Sequence, residues 1–309
     1  MNRREFVVAS TAAALVSQLP AANRTMKTQP SSVHLFSKHL QFLDYEAMAA
    51  KAAEIGFDGV DLTVRPRGHV EPADAKRDLP RAAAALRDQG LPPLMCTTAF
   101  SSANDPHFES TLDAIAEAGF KHLRIGYFRH DPNLHPAQHI DKVRRALPPL
   151  VEALRRRGLN GALQNHAGAR NIGSSLWEYW QVLEGTDPTA LGIQFDIRHA
   201  TAERGDSWEV ELAIAAPKIS SLVIKDFKWV EDPQTGLPQL LNTPLDEGWV
   251  DFPRYFKLLR ERDISTPTSL HFEYDLGGAD HGDRDIKIPP AEVYTAMRRD
   301  LTILRGYLG

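Results

Sequence analysis

A single-domain α/β fold, the (β/α)8 TIM barrel, is what this sequence predicts, and three observations predict it. Short β-type runs alternate with amphipathic helical runs eight times between Val33 and the end of a 309-residue chain. Such alternation gives a parallel sheet with right-handed crossovers, and eight units suit a closed barrel of roughly 250 residues. The competing fold, an open doubly wound sheet, wants a glycine-rich phosphate loop after an early strand. No G-x-G-x-x-G or G-x-x-x-x-G-K-[ST] match occurs.

Residues 1–22 read as an export signal of the twin-arginine type. Arg3 and Arg4 precede Phe6, and the mostly apolar run Val7 to Leu19 follows. That run is shorter than the ~20 apolar residues of a bilayer span and holds Ser10, Thr11, Ser17 and Gln18. A periplasmic or otherwise exported location is expected, with no stable membrane span after signal removal. A polar linker covers residues 23–32, and the barrel covers 33–309. Strands are expected at Val33–Ser37, Gly59–Val64, Leu94–Thr98, His122–Gly126, Asn160–Gln164, Gly192–Phe195, Ser221–Lys225 and Thr268–Phe272. Helices are expected at Tyr45–Ile55, Asp113–Ala118, Ile140–Arg157, Leu176–Leu183, Trp208–Ala215, Pro253–Arg262 and Pro290–Tyr307. Gly56, Gly90, Gly119 and Gly158 stand where helices give way to strands, as C-terminal caps do.

Composition narrows the function. The chain is 42% hydrophobic and 25% charged, enough to bury a core without staples. With 36 basic and 40 acidic residues and no long like-charge block, no nucleic-acid partner is expected. The single cysteine, Cys96, excludes an internal disulfide and a Cys-rich zinc site. A small molecule is the expected partner, and a homo-oligomer is compatible with the sequence.

Barrels carry their chemistry at the C-terminal ends of the strands. Here every such end is polar: Ser37-Lys38-His39, Arg65-Pro66-Arg67-Gly68-His69, Thr97-Thr98, Arg129-His130, Gln164-Asn165-His166, Asp196-Ile197-Arg198-His199, Lys225-Asp226 and His271-Phe272-Glu273. Loop starts are polar by default, so the coincidence over eight ends is the signal. Side chains alternate faces along a strand. If Gln164, Asp196, Lys225 and Glu273 point inward, four adjacent strands share one polar pocket. Buried carboxylates must be paired or bind metal. Asp196, Glu273 and Gln164 therefore either hold a divalent cation through oxygen, or Lys225 takes the cation's place. Taken singly, Asp196 or Glu273 also suits a helix cap or a surface pair.

Glu273, Lys225 and His199 are the catalytic candidates. His166, Arg198, Lys38, Arg65, His69 and Trp229 are the substrate-binding candidates, with Trp229 and Trp249 in the long seventh loop able to stack on a sugar face. Arg65 and Arg67 suit a phosphate or carboxylate, or pairing with acidic neighbours. Trp177, Trp180 and Trp208 fall on helices and are read as core. His107, His122, His135 and His139 look like surface or helix positions.

The segments G-F-D-G-V-D-L (56–62), L-Q-N-H (163–166), F-D-I-R-H (195–199), V-I-K-D (223–226), P-L-D-E-G-W-V-D-F (244–252) and S-L-H-F-E-Y (269–274) occur in this order and spacing. On them the chain resembles the xylose isomerase-like barrel superfamily, which includes sugar phosphate isomerase/epimerase-type proteins, D-tagatose 3-epimerase and endonuclease IV. The resemblance implies one divalent metal, Mn or Mg, held by a carboxylate on the fifth strand, an Asp on the sixth, a His on the seventh and a Glu on the eighth. By position these are Gln164, Asp196, Val223 and Glu273. Gln164 keeps an oxygen but loses the charge, and Val223 cannot bind metal. The pair of glutamates that shuffles the proton is therefore incomplete. The D-x-x-H motif is kept, and its His199 is implied to touch substrate. Endonuclease IV activity is not expected, because its multi-histidine zinc set and basic face are missing.

Three functions follow. An isomerase or epimerase would remove a proton next to a carbonyl of an unphosphorylated sugar. Glu273 would act as base or metal ligand, Lys225 or a metal would hold the enediolate oxygen, and His199 would orient a hydroxyl. A lyase or hydratase would use the same abstraction on a keto-glycoside. A catalytically inactive barrel would only bind carbohydrate.

Overall fold

The structure is a computed structural model that describes residues 31–309. The expected signal and all but the last two linker residues lie outside the described residues. In chain order the elements are β1 (Val33–Phe36), α1 (Tyr45–Ile55), β2 (Gly59–Thr63), α2 (Ala75–Asp88), β3 (Met95–Thr97), α3 (Phe108–Ala118), β4 (His122–Arg124), α4 (Pro136–Ala146), α5 (Pro148–Arg156) and β5 (Asn160–Gln164). Then come α6 (Leu176–Val182), β6 (Leu191–Asp196), α7 (Ile197–Arg204), α8 (Trp208–Ala215), β7 (Ile219–Ile224), β8 (Asp226–Glu231), β9 (Pro238–Thr243), α9 (Phe252–Glu261), β10 (Thr268–Leu270) and α10 (Pro290–Leu308).

β1 to β7 and β10 form a closed parallel barrel, as the alternation predicts. Leu35 lies opposite Val60 on one side and Leu270 on the other, which closes the ring. Both faces of these strands are covered, so they read as apolar runs with isolated polar residues. The helices start and stop for local reasons. Asp44 caps α1 by accepting from the Ala47 N–H, and Gly56 ends it in the left-handed region at φ 105°. α10 buries Val293, Met297, Leu301 and Leu304 at helical spacing against the barrel.

Four expectations are corrected. The run Ile140–Arg157 is two helices, because Pro148 and Pro149 remove donors that a continuous helix needs, so α5 restarts with Pro148 in its first turn. A further helix, α2, fills the β2–β3 crossover and buries Leu79, Ala82, Ala83 and Leu86. The long seventh loop holds an antiparallel hairpin, β8–β9, with Trp229 opposite Leu240. Trp208 is core, but Trp177 and Trp180 are exposed on α6.

Candidate active site

The site is built where β5, β6, β7 and β10 end. Asp196, the last residue of β6, is also the N-cap of α7, its Oδ1 accepting the backbone N–H of His199 at 3.1 Å. The D-x-x-H spacing is thus a helix cap as well as a pocket motif: the cap turns the chain so that His199 stands beside Asp196. Lys225 Nζ, fully buried just past β7, lies 3.2 Å from Asp196 Oδ2 and 3.1 Å from Glu273 Oε2. The two carboxylates hold the Lys225 ammonium above its ordinary pKa despite burial. Lys38, after β1, takes the other oxygen of Glu273 at 3.4 Å. Burial favours the neutral acid at Glu273, but Lys225 and Lys38 outweigh it and hold the carboxyl well below its ordinary value. Glu273 therefore stays ionised, and its side chain is 23% exposed while Asp196 is sealed.

His199 is buried with a cation on each ring nitrogen: Arg198 Nη1 lies 2.8 Å from Nδ1 and Lys225 Nζ 3.0 Å from Nε2. Burial and these neighbours hold it neutral. A neutral imidazole offers one lone pair. One of the two donors is therefore surplus and free to turn to a bound oxygen. His166 stacks over His199 with ring centroids 3.9 Å apart, at the open side of the same cluster.

Sequence reasoning brought together Lys38, Gln164, His166, Asp196, Arg198, His199, Lys225 and Glu273, and the structure places them in one connected cluster. Two candidates lie elsewhere. His69 is buried, with Nδ1 3.0 Å from Ser37 Oγ and Nε2 3.2 Å from the Leu40 carbonyl, so both ring nitrogens brace the β1 and β2 loops. Trp229 lines a groove with Trp249, Asp206, Glu209, Asp251 and Arg254, none of them a member of that cluster.

Four further residues belong to the site. Arg124 and Tyr127 both donate to Gln164 Oε1, at 2.8 and 2.6 Å. Asn242 of β9 accepts two bonds from Arg198, at 3.1 and 2.6 Å, and donates to the Glu273 carbonyl. Asp61 lies beneath, receiving the hydroxyls of Thr97 and Ser269 at 2.9 and 2.7 Å. An arginine inside the apolar run His122–Gly126 was a legible signal for Arg124. Asn242 carried none, because only the hairpin brings it over the mouth.

The hairpin is anchored by Asp226, whose carboxylate accepts the N–H groups of Phe227, Gly248 and Val250. Gly248 must be glycine here, since a Cβ would collide with that carboxylate. The loop is tied down at both ends and lies across Arg198 and Glu273.

A closed parallel barrel of eight strands with helices between them, gathering ionised groups at its C-terminal mouth, is a (β/α)8 barrel. The chain belongs to the xylose isomerase-like TIM barrel family, whose model matches residues 49–294. Comparison with curated proteins gives no match. Among solved structures it is similar to a D-psicose 3-epimerase determined in the presence of D-fructose (13% identity, TM-score 0.66, 90% of this chain and 99% of that one). It is similar to 3-keto-D-glucoside 4-epimerase from E. coli (16%, 0.64, 89% and 99%). It is also similar to a xylose isomerase-like TIM barrel protein from Mycobacterium smegmatis in complex with magnesium (18%, 0.59, 88% and 98%). Identities this low establish a shared fold.

The expected metal set, Gln164, Asp196 and Glu273, does not fit a divalent ion. Gln164 turns its NH2 toward Asp196 Oδ2 at 2.7 Å and spends its oxygen on Arg124 and Tyr127. Val223 offers no donor, and the Lys225 ammonium stands between the two carboxylates that a cation would bridge. Among the described residues no group of three or more His, Cys, Asp or Glu is placed to hold a metal.

Proposed function

We propose that this chain is an isomerase or epimerase that removes a proton next to a carbonyl of an unphosphorylated sugar or derivative. One observation carries the reading: an ionised, ligand-accessible carboxylate, Glu273, stands 3.1 Å from a buried ammonium, Lys225. A base beside a fixed cation is what enediolate chemistry requires. Glu273 takes the proton from the carbon next to the carbonyl. The C–H electron pair forms a C=C bond to the carbonyl carbon, and the carbonyl π pair moves onto its oxygen, which becomes the enediolate oxygen beside Lys225. Protonation of the same carbon on its opposite face gives the epimer; return of the proton to the former carbonyl carbon, with the neighbouring hydroxyl proton passing to the enediolate oxygen, gives the isomer, and no redox partner is needed. His199 and His166 orient a hydroxyl. The fold shared with psicose and keto-glucoside epimerases supports the class. The paired Arg3 and Arg4 ahead of an apolar run support action outside the cytoplasm, where sugar phosphates are scarce.

Proton NMR in D2O with unphosphorylated ketoses, aldoses and their oxidised derivatives tests this. Solvent deuterium should enter the carbon next to the carbonyl. Glu273→Gln should lower that exchange by about a thousandfold or more with an unchanged circular dichroism melt. Undiminished exchange in this variant would remove Glu273 from the chemistry.

A further inference from the structure

Charge is not balanced evenly around the mouth. On one side two lysines, Lys38 and Lys225, meet two carboxylates, Asp196 and Glu273. On the other side Arg124 has no carboxylate in contact, Arg65 feels Asp61 and Glu273 only at a distance, and Asp61 is already satisfied by two hydroxyls and pushed up by burial. The Arg65 guanidinium is partly buried and makes no hydrogen bond or ion pair among the described residues, while the Arg65 backbone N–H bonds the Val70 carbonyl. Its guanidinium carbon lies 5.5 Å from the centre of the Phe36 ring, which supports the plane from below. Burial and the nearby Arg124 bring its pKa down to about 10, and Arg65 in turn depresses Lys38. Arg65 thus lies within electrostatic reach of both Arg124 and Lys38. Keeping a partly desolvated guanidinium without an acceptor is costly unless a counter-charge arrives.

We propose that Arg65, with Arg124 and Lys38, forms an anion subsite at the mouth, and that the sugar this site takes carries a carboxylate, as a uronate does. The proposal rests on the sugar-binding reading above and names its substrate class. A free guanidinium fork matches a carboxylate through two parallel N–H bonds. A neutral sugar would leave the fork unpaired. The N-terminal export motif favours a carboxylate over a phosphate as the source of the charge.

The test is calorimetric binding of D-glucuronate, D-glucose and D-glucose 6-phosphate at low salt, which does not depend on turnover. Glucuronate should bind at least tenfold more tightly than glucose. The ratio should collapse in Arg65→Gln, survive in Arg65→Lys, and shrink in 0.5 M salt, about as expected for an ion pair at a partly open site. Circular dichroism melts confirm that both variants fold. Equal binding of glucuronate and glucose, or a preference that persists in Arg65→Gln, overturns the subsite and leaves the sugar reading standing. Tightest binding of glucose 6-phosphate overturns the carboxylate assignment. If none of the three binds, the subsite and the sugar reading both fall.

Discussion

The two sides of the barrel mouth are made of the same parts and do opposite jobs. On the β6, β7 and β10 side, Lys225, Asp196, Glu273 and the neighbouring Lys38 each have an opposite charge within 3.4 Å, and Arg198 is held by the neutral Asn242 and His199. Lys225, Asp196 and Glu273 hold one another in place, and the cap at the start of α7 and the Gln164 amide fix Asp196 twice more. On the β2 and β4 side, Arg124 has only neutral hydrogen-bond acceptors, and Arg65 has none at all among the described residues. Paired charge positions the chemistry, because removing either partner strands the other in low dielectric. Unpaired charge recognises, because its partner is the ligand.

Breaking the paired side should have the largest effect. Lys225→Met leaves the buried Asp196 without a cation and Glu273 with Lys38 alone. We expect a loss of about 3–5 kcal/mol in urea-unfolding stability, with activity lost as well. A variant of normal stability and kinetics would show that the pairing is not what holds this side together.

Acid should weaken the molecule by a separate route. His34, His69 and His271 are each held down to about 4, chiefly by burial, from an ordinary value of 6.5. Between those values the unfolded chain binds protons that the folded chain refuses, so stability is full above about pH 6.5 and is lost as pH falls toward 4. Asp300, pushed up to about 6 by burial, has the opposite sign, as do Asp61 and Asp226, but His39, His122, His139, His166 and His199 are held down by burial as well. Urea midpoints between pH 7 and pH 4.5 should fall steadily. A flat or rising profile would mean that these rings protonate in the folded state.

Asn242→Ala should sharpen the comparison at smaller cost. It removes the two bonds from Arg198 and the one to Glu273, worth about 1–3 kcal/mol with Arg198 left unmatched. Hydrogen exchange should rise in β8 and β9 while β6 and β7 stay protected. Uniform loss of protection would mean that the hairpin is no separate unit. The smallest expected effect is that of metal removal. Dialysis against EDTA should leave turnover unchanged, because Lys225 stands where the two carboxylates would bridge an ion. A loss restored by Mn would show that Lys225 yields its place.

Much of this was legible in the chain. The strand–helix alternation and the missing phosphate loop were enough for the barrel. Period-two alternation placed Gln164, Asp196, Lys225 and Glu273 in one pocket, because a barrel leaves only one inward direction. Failures came where a side chain had local company. His69 follows a polar strand end like the others, but Ser37 and the Leu40 carbonyl claim its ring. Trp229 is in the seventh-strand loop, yet hairpin geometry sets it in a groove beside Trp249 rather than among the paired charges.

By itself, then, the sequence determined the barrel, the order of its units and the residue types at each strand end, because these follow from periodicity and from chain order. It left open whether Asp196 and Glu273 held an ion or an ammonium, since both solutions satisfy the same pair of carboxylates. Tertiary structure decided that question through distance: Lys225 reaches both carboxylates, and Gln164 turns its nitrogen to Asp196. It also decided which cations were left over, and no linear pattern reports that, because pairing depends on which strand ends a closed ring sets side by side.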